Sequence, residues 1–235
     1  MSIKGFRLIV ATLLALLGGS IHAQDFGFGA KAHGGASVIT NAKKHVGHID
    51  DKATMFNSLK ISFGGGLYGE YNFMDYVGAR LETLFDMVGS GHKSDNDSYS
   101  WTIGYLKIPV LAKIYPMGID TGLSILVGPE VGFPLMKTLT GKVKDGDDWK
   151  ELKEDEHPEY KALRDNFKKD VNSFSLGANL GIEYELPEVG VTFSLSGVYD
   201  ITKAFKKDAK SVTEDNNVRL INTRLAVGYN LANLM

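Results

Sequence analysis

Residues 174–186 read FSLGANLGIEYEL, and the alternation within them decides the fold. Apolar side chains occupy every second position from Phe174 to Leu186, and Ser, Gly, Asn and Glu fill the positions between them. In a β-strand, successive side chains point to opposite faces of the sheet. The stretch therefore predicts a strand with one apolar and one polar face, and it is long enough to cross a membrane as part of a β-barrel.

The same alternation recurs along the rest of the chain. It is clear in residues 59–73 and 222–231, and weaker in 26–36, 76–88, 101–115, 123–137 and 191–202. Short connections near 74–75, 116–121 and 187–188 alternate with long polar ones at 39–58, 89–100, 138–172 and 203–218. Together these features predict an all-β fold, an eight-stranded antiparallel up-and-down transmembrane β-barrel with short periplasmic turns and longer extracellular loops.

Two irregularities stand inside the predicted strands. Within 101–115 the apolar phase changes near Gly104, from Ile103 and Tyr105 to Leu106 and Ile108, which we interpret as a β-bulge. Pro109 and Pro129 also fall inside strand patterns. Proline cannot donate to a sheet ladder and favours edges or bulges, so both positions need a local break in a closed barrel.

The polar face distinguishes a membrane barrel from a soluble one. The chain has 27 glycines, where average usage of about 7% would give about sixteen. Many of them share the polar face with isolated charges, which suits the crowded interior of a narrow barrel better than a solvated surface. Aromatic residues near strand ends, among them Tyr71, Phe73, Trp101, Tyr115 and Tyr184, are typical of interfacial girdles.

The charges on the polar face are nearly balanced in sign, so we predict a closed lumen that they fill as ion pairs. The predicted lumen network consists of Lys31, Lys60, Glu70, Arg80, Glu82, Lys107, Lys113, Glu130, Glu183 and Arg224. His33 falls on the same face and is expected to act there as a hydrogen-bond partner.

The first residues resemble an export signal. Lys4 and Arg7 precede an apolar run over 8–17, and Ala23 offers a small residue at a cleavage site. The run is too short for a spanning helix, which needs about 20 apolar residues. We therefore predict a cleaved signal peptide at 1–23, a barrel domain at 24–235, and export to the outer membrane of a gram-negative bacterium.

The third long connection predicts a short helix. Pro158 can open it, and Tyr160, Leu163 and Phe167 follow at helical spacing among basic residues that include Arg164 and Lys168. Under one hypothesis these five residues contact lipopolysaccharide phosphates or a partner protein outside the cell. Under the alternative, the apolar stripe caps the barrel mouth.

Other chemistry finds little support in the sequence. A net charge of -2 offers no basic excess for nucleic acid, and the absence of cysteine excludes thiolate metal sites. His45 and His48 in the first long connection are a weak metal signal, so no metal or cofactor is predicted. The nearest catalytic grouping is His92 with Asp86 and Ser90, and nothing in the sequence orients it, so no catalytic residue is predicted.

Several segments resemble the outer-membrane β-barrel proteins related to the PorT type. The resemblance rests on residues 106–113, LKIPVLAK, on 65–71, GGLYGEY, and on 80–82, 128–132 and 225–229. It implies an eight-stranded outer-membrane barrel and no catalytic residues. One departure is that the chain continues beyond Tyr229, where members of the family end near an aromatic residue.

The expected function is that of a non-enzymatic outer-membrane barrel with a closed charged lumen and loops for binding or envelope integrity. A narrow porin-like channel for small solutes is the alternative, and an outer-membrane enzyme acting from rim loops is a second alternative. The expected partners are outer-membrane lipid, including lipopolysaccharide, an extracellular or envelope protein, and the barrel-assembly machinery during insertion.

Overall fold

The computed structural model describes residues 26–40, 59–93, 97–145, 148–152, 158–206 and 219–231. The predicted signal peptide at 1–23 and the pair His45 and His48 lie outside these residues. The strands of the described chain are β1 (Phe26–Thr40), β2 (Lys60–Met74), β3 (Val77–Lys93), β4 (Asp97–Ile114), β5 (Leu123–Asp145), β6 (Asp148–Glu151), β7 (Ser175–Leu186), β8 (Val191–Asp200) and β9 (Arg219–Asn230). A short 3₁₀ helix spans Ile119–Thr121, and one α-helix, α1, spans Pro158–Asp170.

Eight of these strands close into a barrel. Each pairs antiparallel with its neighbours in the ring β1-β2-β3-β4-β5-β7-β8-β9, and β9 pairs again with β1. The short strand β6 pairs with the far end of β5 and lies outside the ring. The predicted fold class and all eight predicted strands are thus confirmed.

Several strands run further than the sequence predicted, most clearly β3, β4 and β5. β3 continues to Lys93, β4 begins at Asp97 and β5 reaches Asp145, so much of 89–100 and 138–145 forms strand where loops were predicted. These extensions pair with one another beyond the end of β2. Trp101, Ile103 and Leu139 point inward from them into an apolar cluster, which explains why the sheet persists there.

The predicted bulge exists, but on the opposite strand. The β4–β5 register shifts between Gly104 and Tyr105, whose partners Met136 and Pro134 leave Leu135 as the extra residue in β5. The inward positions of β4 stay in one phase through Trp101, Tyr105 and Lys113, so β4 itself has no slip. The apparent slip arose because apolar residues face inward at the upper end of β4.

Pro109 and Pro129 each coincide with a gap in a hydrogen-bonded strand ladder. The β3–β4 pairs pass from Leu81↔Val110 to Leu84↔Lys107 at Pro109, and the β4–β5 pairs pass from Pro109↔Glu130 to Ala112↔Val127 around Pro129. Proline lacks the N–H that would complete the ladder at these positions. The barrel stays closed because the strands pair again on both sides of each gap.

The outer wall of the barrel is apolar and exposed. Leu67, Leu180 and Leu225 each expose more than 60% of their surface, whereas inward charges such as Arg80 and Glu130 are buried. A contiguous apolar surface of this kind needs a lipid environment. The exposed aromatic residues Phe73, Tyr76 and Tyr184 lie near the short-turn end. Trp101 and Tyr115 do not belong to a girdle as predicted, since both point inward and are buried.

No α-helix in the described residues is long and apolar enough to cross a membrane.

Candidate functional site

The interior of the barrel holds two layers of ion pairs. The layer nearer the short turns, here called the lower layer, contains Lys31, Glu70, Arg80, Glu82, Lys113 and Glu183. The layer above it, the middle layer, contains Asp86, Lys107, Glu130, Asp200 and Arg224. Both layers come from inward positions on several strands, which the period-two pattern directs into the lumen.

Arg80 organises the lower layer. Its Nη1 and Nη2 donate to the two carboxylate oxygens of Glu183 at 2.5 and 2.6 Å, and its Nε and Nη2 donate to Glu70 at 2.8 and 2.5 Å. Lys113 also contacts Glu70 at 3.0 Å and Glu183 at 3.2 Å. The Arg80 guanidinium lies 4.4 Å from the centre of the Tyr68 ring. Two cations thus share two carboxylates in a buried, multiply bonded cluster.

A second pair extends the lower layer toward β1. The Lys31 ammonium donates to Glu82 Oε1 at 2.6 Å, and Glu82 lies 3.8 Å from Arg80 Nη1. Glu185 joins at the lower edge, 3.8 Å from Lys113. Its side chain retains 18% exposure, whereas that of Arg80 is fully buried.

Arg224 plays the corresponding part in the middle layer. It donates from Nη1 and Nη2 to Glu130 at 2.6 and 2.9 Å, and from Nη2 to Asp86 at 2.6 Å. The other oxygen of Asp86 lies 3.1 Å from His33 Nε2, as the sequence suggested for a histidine inside the barrel. Lys107 bridges Glu130 at 3.2 Å and Asp200 at 3.6 Å.

Both arginines connect strands that lie nearly opposite in the ring. Arg80 on β3 reaches Glu183 on β7, and Arg224 on β9 reaches Glu130 on β5, each across three steps of the eight-strand ring. An eight-stranded barrel is just wide enough for its own side chains to fill. These bidentate pairs therefore cross the lumen at two levels.

Lys60 is one predicted lumen residue that the structure places elsewhere. Its ammonium donates to Ser100 Oγ at 2.7 Å, Thr102 Oγ1 at 2.5 Å and the Trp101 carbonyl at 3.2 Å. Ser100 and Thr102 occupy outward positions of β4. The other nine predicted residues line the lumen together, and Lys60 leaves it because β2 begins only at this residue.

An apolar cap closes the outer mouth above the two layers. The cap consists of Val88, Trp101, Ile103, Tyr105, Leu139, Phe167, Val171, Ala204, Phe205 and Leu220, with Tyr99 and Leu163 packed against it. The rings of Trp101, Phe167 and Phe205 lie 6.0 to 6.3 Å apart from centre to centre. The helix α1 thus lays its apolar stripe on the barrel mouth.

Hydrogen bonds fix α1 at both ends. The Tyr160 hydroxyl donates to the Leu139 carbonyl at 2.8 Å and accepts from the Gly141 N–H at 3.1 Å. At the other end, Lys137 donates to the Lys168 carbonyl at 3.0 Å and Lys206 donates to the Lys169 carbonyl at 2.6 Å. Cations at a helix C-terminus are favourable because they face its unpaired carbonyls.

The predicted loop-contact residues fall into two groups. Tyr160, Leu163 and Phe167 turn toward the barrel, where Tyr160 and Phe167 are buried and inaccessible to an external ligand. Lys168 is exposed, and Arg164 is partly exposed beside Asp165. The arrangement is that of the capping alternative, and only the basic residues remain available for an outside contact.

Asp86, Glu185 and Asp200 are charged interior residues that the predicted network omitted. Asp86 has the same strand phase as Arg80 and Glu82, and Asp200 has the inward phase of β8, so the period-two pattern could have found both. The inward Leu84 interrupts the run of charged inward residues before Asp86, so the alternation of charged and apolar residues is less clear at Asp86. Glu185 follows Glu183 in the same phase at the lower end of β7.

The weak catalytic grouping of His92, Asp86 and Ser90 is not assembled. Asp86 and Ser90 are fully buried, and Asp86 is engaged by Arg224 and His33. His92 follows Asp86 by six positions on β3, which places their Cα atoms about 20 Å apart. Among the described residues, no group of three or more His, Asp or Glu side chains could hold a metal ion.

A closed antiparallel barrel with an apolar outer wall and a charged interior defines the class of small outer-membrane barrels. A family model described as outer membrane protein beta-barrel domain matches residues 22–206. The chain belongs to this family, whose members lie in the outer membrane of gram-negative bacteria.

Solved structures with a similar fold are outer-membrane proteins of low sequence identity. Neisserial surface protein A is 11% identical, with 86% of this chain and 96% of that chain covered and a TM-score of 0.46. Ail, the attachment invasion locus protein of Yersinia pestis, is 12% identical, with 88% and 99% covered and a TM-score of 0.39. OprG from Pseudomonas aeruginosa is 16% identical, with 88% and 95% covered and a TM-score of 0.40. No curated protein matches the chain in sequence.

Proposed function

We propose that this protein is a closed, non-enzymatic outer-membrane barrel that acts through its outer surface, in binding or in envelope integrity. The observation that carries the proposal is the pair of arginine bridges across the lumen, Arg80 to Glu183 and Arg224 to Glu130. A passing solute would have to separate at least one buried ion pair at each level. Breaking a buried pair costs roughly 3–5 kcal/mol when one partner is lost.

The cap supports the same proposal from the outer side. Above the middle layer, Trp101, Phe167 and Phe205 form an apolar cover on the mouth. Ions cross an apolar constriction poorly because it excludes the water that hydrates them. A lumen blocked by charge pairs below and by apolar packing above leaves the outer surface as the working part of the molecule.

The exposed face of α1 is the proposed contact for an extracellular or envelope protein or for lipopolysaccharide. Lys168 points to the outside there, and Arg164 is partly exposed beside it. Outer-membrane lipid around the apolar wall and the barrel-assembly machinery during insertion are further proposed partners. No cofactor is part of the proposal.

A narrow channel for small solutes is the second candidate. It is favoured by a charged interior of both signs and by the partial exposure of Glu185 and Lys31, 18% and 10% of their side chains, in the lower layer. In this case the ion pairs would have to exchange partners as a solute passes. Enzymatic action from the rim has no comparable support among the described residues, because the grouping around Asp86 is buried and separated.

Conductance of the refolded protein in a planar lipid bilayer tests the proposal. We expect no unitary steps from protein whose heat-dependent gel mobility shows it to be folded. Steady unitary steps whose conductance changes in Glu82→Gln, but not in Glu188→Gln, would establish the channel instead. Glu188 is a matched control because it lies exposed in the turn between β7 and β8, outside the lumen.

A further inference from the structure

Lys60 differs from the lysines that remain in the lumen. Lys31, Lys107 and Lys113 each lie within 3.2 Å of a carboxylate oxygen. The Lys60 ammonium contacts two hydroxyls and one carbonyl, and no carboxylate of the described part of the chain lies within ion-pair distance of it. Its positive charge is thus held by neutral acceptors only.

Gly89 lets Lys60 reach the outer wall. Gly89 occupies an outward position of β3, and a Cβ built on it would lie 2.9 Å from Lys60 Cδ. The lysine stem therefore passes across the outer side of Gly89, where any larger side chain would obstruct it. Beyond Gly89 the ammonium arrives at the outward hydroxyls of Ser100 and Thr102 on β4.

These hydroxyls belong to a polar patch on the outer face of the β4–β5 extension. The patch, here called the hydroxyl patch, is built from the cross-strand pairs Ser98↔Lys142, Ser100↔Thr140 and Thr102↔Thr138, together with Lys60. Cross-strand partners share one face of a sheet, so all of these side chains face outward. The patch carries two ammonium groups. Glu151 is the cross-strand neighbour of Lys142 on β6, but no carboxylate among the described residues lies within ion-pair distance of either ammonium.

The hydroxyl patch lies where the apolar wall ends. On β5 the exposed residues Phe133, Leu135 and Met136 lead up to Thr138, and on β2 the residue next to Lys60 is Ile61, which is 79% exposed. The apolar band of such barrels marks the hydrocarbon core of the membrane, and its edge marks the headgroup level. The two ammonium groups and the hydroxyls therefore lie at headgroup level, on the lipid side of the barrel.

We propose that the hydroxyl patch binds the phosphate-bearing headgroup of a lipid of the outer leaflet, with the acyl chains against the apolar wall below. An ammonium forms charge-assisted hydrogen bonds with phosphate. The three N–H donors of Lys60 are already used by Ser100, Thr102 and the Trp101 carbonyl, so Lys60 attracts the phosphate through its charge. Lys142, which is exposed, supplies the ammonium donors for direct bonds. The hydroxyls of Ser100 and Thr102 accept from Lys60, so their own protons are free to donate to an anion. A lipid fits better than a soluble anion because the patch continues directly into the apolar wall.

This inference does not depend on a closed lumen, because the patch lies on the outside of the barrel. Native mass spectrometry of the refolded protein in detergent, titrated with lipid A, measures the binding. We expect Lys60→Gln and Lys142→Gln each to weaken lipid A binding about five-fold, since one cation near a headgroup contributes about 1 kcal/mol.

Lys150→Gln is the matched control. It removes the same charge from the β5–β6 hairpin, but Lys150 lies on the opposite face of the hairpin from Lys142, and its ammonium is already paired with Asp145. Phosphatidylcholine, whose headgroup carries no net charge, serves as the control lipid, and inorganic phosphate serves as the soluble competitor.

The outcomes separate the lipid from other anions. Selective loss of lipid A binding in Lys60→Gln and Lys142→Gln, with Lys150→Gln unchanged, supports the proposal. Equal loss in all three variants, or equal binding of lipid A and phosphatidylcholine, overturns it. Displacement of lipid A by inorganic phosphate at comparable concentration would assign the patch to soluble anions and also overturn the lipid proposal.

Discussion

The lumen and the cap fill the same barrel with opposite chemistry. In the lumen, Arg80 and Arg224 are buried and hold carboxylates from strands across the ring. In the cap, Trp101, Phe167 and Phe205 pack as apolar rings with few hydrogen bonds among them. Removing one partner of a buried ion pair leaves the other charge buried and unpaired, which is strongly destabilising. The stabilisation from an apolar contact instead decreases in proportion to the apolar area that is lost.

The difference reflects how each region is connected to the rest of the fold. The lumen layers join strands that are hydrogen-bonded on both sides, so they cannot open without disturbing the ring. The cap is carried by α1 and by the segment around Phe205, which is joined to it by the isolated bridge Val171↔Phe205. Regions with fewer connections open locally at lower free energy than the global unfolding of the protein. We therefore expect damage to the lumen to act globally and damage to the cap to act locally.

The largest effect is expected from Arg80→Met. The substitution leaves Glu70 and Glu183 buried with only Lys113 to share, and loss of one member of a buried pair costs roughly 3–5 kcal/mol. Urea unfolding of the protein in lipid vesicles, followed by tryptophan fluorescence, measures the free energy of unfolding. Adding Glu183→Gln to this variant should recover part of the loss, because it removes one of the stranded charges.

Arg219→Met is the control for that measurement. Arg219 lies partly exposed at the rim, where it donates to the Tyr199 hydroxyl at 2.8 Å and its guanidinium lies 5.6 Å from the centre of the Tyr199 ring. Contacts at a partly exposed rim cost less to lose than a buried ion pair, so its replacement should change stability by about 1 kcal/mol. Equal losses for Arg80→Met and Arg219→Met would mean that the lower layer contributes no special stability, and the contrast between lumen and cap would not hold.

A smaller and local effect is expected from Leu163→Ser combined with Phe167→Ser. Truncating a buried aromatic residue typically costs 3–5 kcal/mol, but here the loss is limited to the stability of the cap itself. We expect proteolytic cleavage within α1 to rise roughly ten-fold or more, which corresponds to about 1.4 kcal/mol of local opening. The midpoint of barrel unfolding should move less than it does in Arg80→Met.

Lys161→Ser with Lys168→Ser controls for the helix itself. Both lysines are exposed on α1, so these changes leave the apolar cluster untouched. They lower helix propensity at least as much as the apolar pair does, because Ser ranks with Phe and below both Lys and Leu. If the control opens α1 as much as the apolar pair does, packing on the barrel is not what holds the helix. If Leu163→Ser with Phe167→Ser loses binding to lipopolysaccharide or to a partner protein while α1 stays packed on the barrel, the apolar stripe itself contacts that ligand.

The architecture was predictable because one local property repeats in every strand. Alternation in segments such as 174–186 and 59–73 is set by the lipid outside and the crowded lumen inside, and both constraints act on each residue separately. The same local phase brings nine of the ten predicted charges into the lumen. The family resemblance seen in the sequence agrees with the matched outer-membrane domain.

The details that escaped prediction depend on neighbours distant in sequence. Which acidic residue pairs with Arg224 depends on the stagger of the strands around the ring. The sequence of one strand does not contain this information. Lys60 leaves the lumen because β2 begins only at this residue while β3 and β4 extend beyond it, and because residue 89 is a glycine. Trp101 resembled a girdle residue because a strand end at the interface and a strand that continues into a cap have the same local pattern.

The smallest effect concerns the place where the cap meets the sheet. One edge of β5 pairs with β7 up to Gly132↔Ser175 and with β6 from Lys142↔Glu151 onward. Between these two pairs the edge has no strand partner among the described residues. The Tyr160 hydroxyl fills this gap by bonding both Leu139 and Gly141. Tyr160→Phe leaves those backbone groups without their partner, and we expect a loss of about 1 kcal/mol. Amide hydrogen exchange at Gly141 should accelerate about five-fold, whereas Tyr199→Phe, which removes an exposed hydroxyl at the rim, should leave it unchanged. An unchanged Gly141 amide in Tyr160→Phe would show that α1 is held by apolar packing alone, and that the cap does not share the directional bonding of the lumen.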